Sequence, residues 1–209
     1  MNYSLTTTFL VRAETEKPVS RECKLFQMLE LLRTSIDAID HKYLERKERD
    51  FAYELYHQIR LLKLPVNTEI TCEFPKTRFN FDDQIMDDRL VRKYFFSDEI
   101  SESARILRYP DLLIHEFDNL NQQLLAIEIK RGGNGNQIKK DLAKLIVYCK
   151  GRLNYKKGVL IIIQPRRNIN QLITVPDIRK MLINYPEVEI WTVFPERIDV
   201  YNSLTIENH

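Results

Sequence analysis

The chain has 209 residues, 44% hydrophobic and 30% charged, with a net charge of +2. That is enough apolar material for one folded domain with a full core, and it excludes wholesale disorder. Three widely spaced cysteines, Cys23, Cys72 and Cys149, exclude a disulfide framework and a CxxC zinc site and point to a reducing compartment. The longest apolar run, Gly158 to Ile163, is far short of the ~20 residues a membrane span needs. Met1 to Val11 lacks the basic start and apolar core of a secretory signal. The expected location is cytoplasmic, with no membrane partner.

Arg21 to Ile39 carries Leu25, Met28, Leu29, Leu32 and Ile36 at helical spacing. A charged stretch from Asp40 to Asp50 leads into a second helix, Arg49 to Lys63, ended by Pro65. Residues 1–48 therefore read as an N-terminal helical extension, and 49–209 as the main domain. Thr68 to Phe81 alternates around Pro75-Lys76-Thr77-Arg78 and reads as a hairpin. The acidic stretch Asp82 to Ser103 reads as a loop with a short helix. One apolar run begins at Ile106-Leu107 and continues past Pro110 through Ile114. Leu124 to Lys130 forms a second, and the polar turn Asp118 to Asn121 makes the two an antiparallel hairpin.

Gly132, Gly133 and Gly135 break that strand. Ile138, Leu142, Leu145, Ile146 and Cys149 then give the clearest helical stripe of the chain, closed by Gly151. Val159 to Ile163 is unbroken and apolar, as a strand covered on both faces requires. A helix from Asp177 to Ile183, a strand from Val188 to Phe194 and an edge strand at Ile198 to Tyr201 follow. The class is α/β, a mixed central sheet flanked by helices.

Charge is distributed unevenly. Between Lys130 and Arg167 stand eleven lysines and arginines against one acid, Asp141. Between Asp82 and Glu102 stand seven acids against three basic residues. A positive segment of this kind suits a polyanion partner.

Chemistry concentrates at Pro110-Asp111 and Glu128-Ile129-Lys130. Strand alternation sends Glu128 and Lys130 to one face while Leu125, Ile127 and Ile129 take the other. If the turn from Asp118 to Asn121 is symmetric, Asp111 falls opposite Glu128, with Cβ atoms roughly 4.5 to 5.5 Å apart. Two carboxylates that close repel unless a proton or cation lies between them. Hard oxygen ligands suit Mg²⁺ or Mn²⁺. Lys130 is then placed to hold an attacking water or to stabilise charge growing on phosphorus. At an effective dielectric of 20, a unit charge at 4 Å is worth about 4 kcal/mol, nearly three powers of ten in rate.

Context separates this pair from similar fragments. Glu-x-Lys recurs at Glu22-Cys23-Lys24 and Glu45-Arg46-Lys47, and Pro-Asp at Pro176-Asp177, but there no second half accompanies the first. The paired motif followed by an amphipathic helix resembles the PD-(D/E)xK nucleases of the restriction-endonuclease-like fold. The resemblance covers roughly Arg49 to Phe194 and implies an αβββαβ core. It also implies that Asp111, Glu128 and the backbone carbonyl of Ile129 hold the metal while Lys130 assists the water. A further acidic ligand from an earlier helix falls to Glu54, with Glu45 and Glu48 as competitors. Gln137 matches a position near substrate or water, though helix capping would explain it equally.

The function expected from this resemblance is a Mg²⁺- or Mn²⁺-dependent endonuclease of DNA, with RNA not excluded. Arg131, Gln137, Lys139, Lys140 and Lys144 would grip the phosphates. No separate reading head is visible, so a homodimer or a partner subunit supplying specificity is expected. The alternative is a catalytically silent nucleic-acid-binding or assembly subunit of the same fold.

Overall fold

The computed structural model describes residues 20–65, 67–72, 88–95, 110–116, 123–151, 153–164, 171 and 173–207. The second half of the expected 68–81 hairpin, the run at Ile106-Leu107 and the turn from Asp118 to Asn121 lie outside them.

Ser20 opens α1 (Arg21–Asp37) by accepting the N–H of Cys23 at 3.2 Å. Asp40 caps the short α2 (His41–Leu44) in the same way, through Lys42. In α3 (Glu48–Leu61), Glu48 and Asp50 occupy the first turn, where negative charge favours the helix dipole. The strand β1 (Thr68–Cys72) follows, then α4 (Arg89–Phe95) within the acidic stretch. Next come β2 (Leu112–Glu116), β3 (Gln123–Arg131) and α5 (Gly135–Lys150). Asn134 and Gln137 form a reciprocal capping box at the start of α5. The chain ends with β4 (Lys157–Ile163), α6 (Pro176–Asn184), β5 (Val188–Phe194), β6 (Arg197–Tyr201) and α7 (Ser203–Glu207).

Among the described residues, six strands form one mixed sheet in sequence order. β1, β2 and β3 run antiparallel; β3, β4 and β5 are parallel; β6 returns antiparallel on the edge. Parallel neighbours require crossovers, which α5 and α6 provide. The β1 half of the expected 68–81 hairpin pairs with β2, matching Ile70 to Ile114.

Alternation along the strands divides the core in two. Leu113, Ala126, Leu160, Ile162, Val188 and Ile190 pack against α4, α5 and α6. Leu112, Ile114, Leu125, Ile127, Ile129, Val159 and Ile161 pack against α1, α2 and α3. The helix α1 therefore shares its core with α3, and Lys24 forms an ion pair with Glu116 at the end of β2. Among the described residues, no helix is long and apolar enough to cross a membrane.

Candidate active site

Pro110 is buried, and Asp111 follows it at the point where β2 begins. Leu112 pairs with Ile127 and Leu113 with Ala126, so continuing the ladder by one residue sets Asp111 across from Glu128. The expected pairing holds, although a bulge between Ile114 and His115 shifts the ladder so that His115 pairs with Gln123. Asp111 Oδ2 accepts the backbone N–H of Ile129 at 2.7 Å, tying the carboxylate to the strand that carries Glu128.

Alternation places Glu128 and Lys130 on the α5 face, continuing from Ala126. Glu128 is 3% exposed and lies between two ammonium groups. Lys130 Nζ stands 3.5 Å from its Oε1, and Lys144 Nζ, from α5, stands 2.6 Å from its Oε2. The Lys144 contact is the shorter of the two, a close ammonium–carboxylate pair. Lys130 also reaches Glu48 Oε1 at 3.1 Å and Asp141 at 3.8 Å, and Asp141 lies 3.8 Å from Lys144.

Four acids, Glu48, Asp111, Glu128 and Asp141, thus surround two lysines. Electrostatics follow from that excess. Burial, then the charge of Glu128, pushes the Asp111 carboxyl up to about 7, against the Ile129 hydrogen bond and the two lysines. Burial and Glu128 likewise raise Asp141 to about 6. For Lys130, burial works to lower the pKa, but the charges of Asp141, Glu128 and Glu48 outweigh it and hold the ammonium above its ordinary range.

The remaining expected site residues have partners of their own. The Glu54 carboxylate accepts from Gln58 at 2.7 Å, one turn along its own helix. Glu48 is the α3 glutamate that meets the site, accepting Lys130 Nζ and, through Oε2, the backbone N–H of Arg131 at 3.1 Å. Lys144 is buried, with its ammonium on Glu128 and Asp141. Lys139 is largely buried, 3.9 Å from Asp177 and over the Tyr94 ring. Arg131 is exposed, but its guanidinium donates to the carbonyls of Glu45 and Arg46. Gln137 Oε1 caps α5 by accepting the Asn134 N–H at 3.1 Å, and Lys140 is half-buried.

Asp141 was missed as a site residue. It lies three residues after Ile138 and four before Leu145, on the flank of the buried stripe. A carboxylate there, alone among eleven basic residues, was the available signal.

Among the described residues, no group of three or more His, Cys, Asp or Glu is placed to hold a metal ion. Two carboxylates are still a sufficient protein contribution for Mg²⁺, which keeps several waters and takes further ligands from a substrate phosphate. Asp111 and Glu128 fit that role as two hard oxygen donors on adjacent strands, with Lys144 Nζ standing 2.6 Å from Glu128 Oε2 as its counter-charge. No protein-family model, curated protein or solved structure matches the chain.

Proposed function

We propose that the chain is a divalent-metal-dependent nuclease of the PD-(D/E)xK type acting on DNA. The convergence of Asp111, Glu128 and Lys130 at the ends of two adjacent strands carries this reading. The element order α3, β1, β2, β3, α5, β4 supports it, being the αβββαβ order of that class with α4 inserted between β1 and β2.

Asp111, Glu128 and the carbonyl of Ile129 would hold Mg²⁺ or Mn²⁺, which when bound supplies a Lewis acid for a phosphoryl oxygen and a more acidic water. The remaining chemistry belongs to the chain's own side chains. Lys130 supplies a fixed positive charge beside Glu128, oriented by Glu48, where it can position the water and offset negative charge developing on phosphorus. Asp111 shares the Glu128 field and is restrained by the Ile129 N–H, so it is aimed before any ligand arrives.

The seating of Lys144 on Glu128 favours the second reading, an assembly or nucleic-acid-binding subunit without turnover. Supercoiled plasmid, single-stranded DNA and RNA should be incubated with Mg²⁺ or Mn²⁺, with Lys130→Ala and EDTA as controls. Cutting by the wild type that both controls abolish supports the nuclease. Binding with no metal-dependent cutting on any substrate supports the silent subunit.

A further inference from the structure

The two oxygens of Glu128 face different ammonium groups, and the two are shared differently with the other acids. Lys130 is shared among Glu128, Glu48 and Asp141, with Glu48 the nearest at 3.1 Å. Lys144 is committed to Glu128, at 2.6 Å, with Asp141 more distant at 3.8 Å. Its side chain is only 11% exposed. The ammonium neutralises Glu128 from the end of a flexible four-carbon stem that can move while its Cα stays fixed in α5.

Resting on the nuclease reading above, we propose that Lys144 is the resident counter-cation of Glu128. It occupies the side of the carboxylate that a divalent ion needs, and a nucleic-acid phosphate draws it away. Two cations on one carboxylate oxygen repel, so the ammonium and the metal compete for Glu128. A phosphodiester offers Lys144 another anion, which frees Glu128 and makes substrate and metal bind cooperatively. Linkage makes that coupling reciprocal. Lys144 thereby discourages idle metal loading and ties assembly of the site to arrival of a polyanion.

Calorimetry with Mn²⁺ tests this, with and without a cleavage-resistant phosphorothioate DNA oligonucleotide, on the wild type, Lys144→Met and Lys144→Arg. Without oligonucleotide, Lys144→Met should bind Mn²⁺ at least about tenfold more tightly than the wild type, while Lys144→Arg should not. The oligonucleotide should tighten Mn²⁺ binding to the wild type by about tenfold, and to Lys144→Met by less than about threefold. A measurement on the unaltered protein stands beside these variants. Acylation of the Lys144 amine, followed by mass spectrometry, should be slow in the metal-free protein and several-fold faster with Mn²⁺. Adding the oligonucleotide should protect it again. Equal Mn²⁺ affinity in the wild type and Lys144→Met, or acylation indifferent to Mn²⁺, overturns this inference alone. Failure of every protein to bind Mn²⁺, with or without oligonucleotide, overturns the nuclease reading along with it.

Discussion

Lys130 Nζ stands 3.1 Å from Glu48 Oε1 across 82 positions of sequence, and the other oxygen of that carboxylate accepts the N–H of Arg131. One glutamate at the start of α3 therefore fixes both the lysine and the backbone beside it. On the proposed nuclease reading, Glu48→Gln should reduce metal-dependent cleavage by about 10- to 100-fold, the range for losing a group that orients a reacting residue. The melting temperature should barely move, because a partly exposed ion pair contributes little stability. Glu54→Gln should leave the rate within about twofold, since its carboxylate serves Gln58. Single-turnover rates for the two variants decide which glutamate belongs to the site.

Asp111 makes the metal-free protein sensitive to pH. Its carboxyl titrates near 7 in the folded chain and near 3.8 when unperturbed, so the unfolded chain releases this proton first. Its contribution to stability is thus fully present below pH 4, declines between 4 and 7 and is lost above 7. The loss is on the order of 4 kcal/mol. Asp141, raised to about 6, acts in the same direction over a narrower window. Asp111→Asn carries no charge and keeps an oxygen for the Ile129 N–H. It should be more stable than the wild type at pH 8 in EDTA, lose that advantage at pH 4, and have no cleavage activity. Urea unfolding across this range checks the sign, and a difference independent of pH would show that Asp111 is not charged against Glu128.

Strands and helices were legible where a periodic pattern was strong. The stripe Ile138 to Cys149 and the unbroken Val159 to Ile163 both stand where spacing put them. Alternation identifies a strand but not all its neighbours, which is why the pairing of the Thr68 segment with β2 was not legible. The Asp111–Glu128 pairing came from assuming a symmetric turn, yet the ladder reaches it only after a bulge near the turn. A helical wheel gives the angle of Glu54 but not its level along the axis. Packing the start of α3 beside the end of β3 chose Glu48 instead. Lysine-rich composition likewise could not show that Lys139 and Lys144 turn inward, because burial depends on Asp177, Glu128 and Asp141 arriving from elsewhere.

Met28 and Leu32 of α1, in the segment read as an N-terminal extension, are completely buried in the core shared with α3. Leu32→Ala should lower unfolding free energy by about 2 to 5 kcal/mol, the cost of an aliphatic deletion with incomplete collapse. Phe26, on the same helix and 65% exposed, is the control: Phe26→Ser should change stability by less than about 0.5 kcal/mol. A single denaturant transition for Leu32→Ala, shifted as a whole, would show α1 folding with the sheet. A separate early transition would show that it folds independently.

Close contact between α5 and the sheet depends on Gly158, which pairs with Ala126 on one side and Val188 on the other. A methyl group there would lie 3.1 Å from Leu145 Cβ, 3.2 Å from Cys149 Sγ and 3.4 Å from Val188 Cγ2. Two of these atoms belong to the helix that presents Asp141 and Lys144. Gly158→Ala should therefore cost about 1 to 3 kcal/mol through overpacking. It should also slow cleavage more than Leu32→Ala does at equal loss of stability, because α5 must shift against β3. Adding Cys149→Ala removes the contact that is easiest to relieve, and the double variant should recover at least about 0.5 kcal/mol relative to additivity. Denaturant midpoints for the two single variants and the double variant measure that coupling. Strict additivity would place the strain at Leu145 Cβ, where the helix backbone has to move to release it.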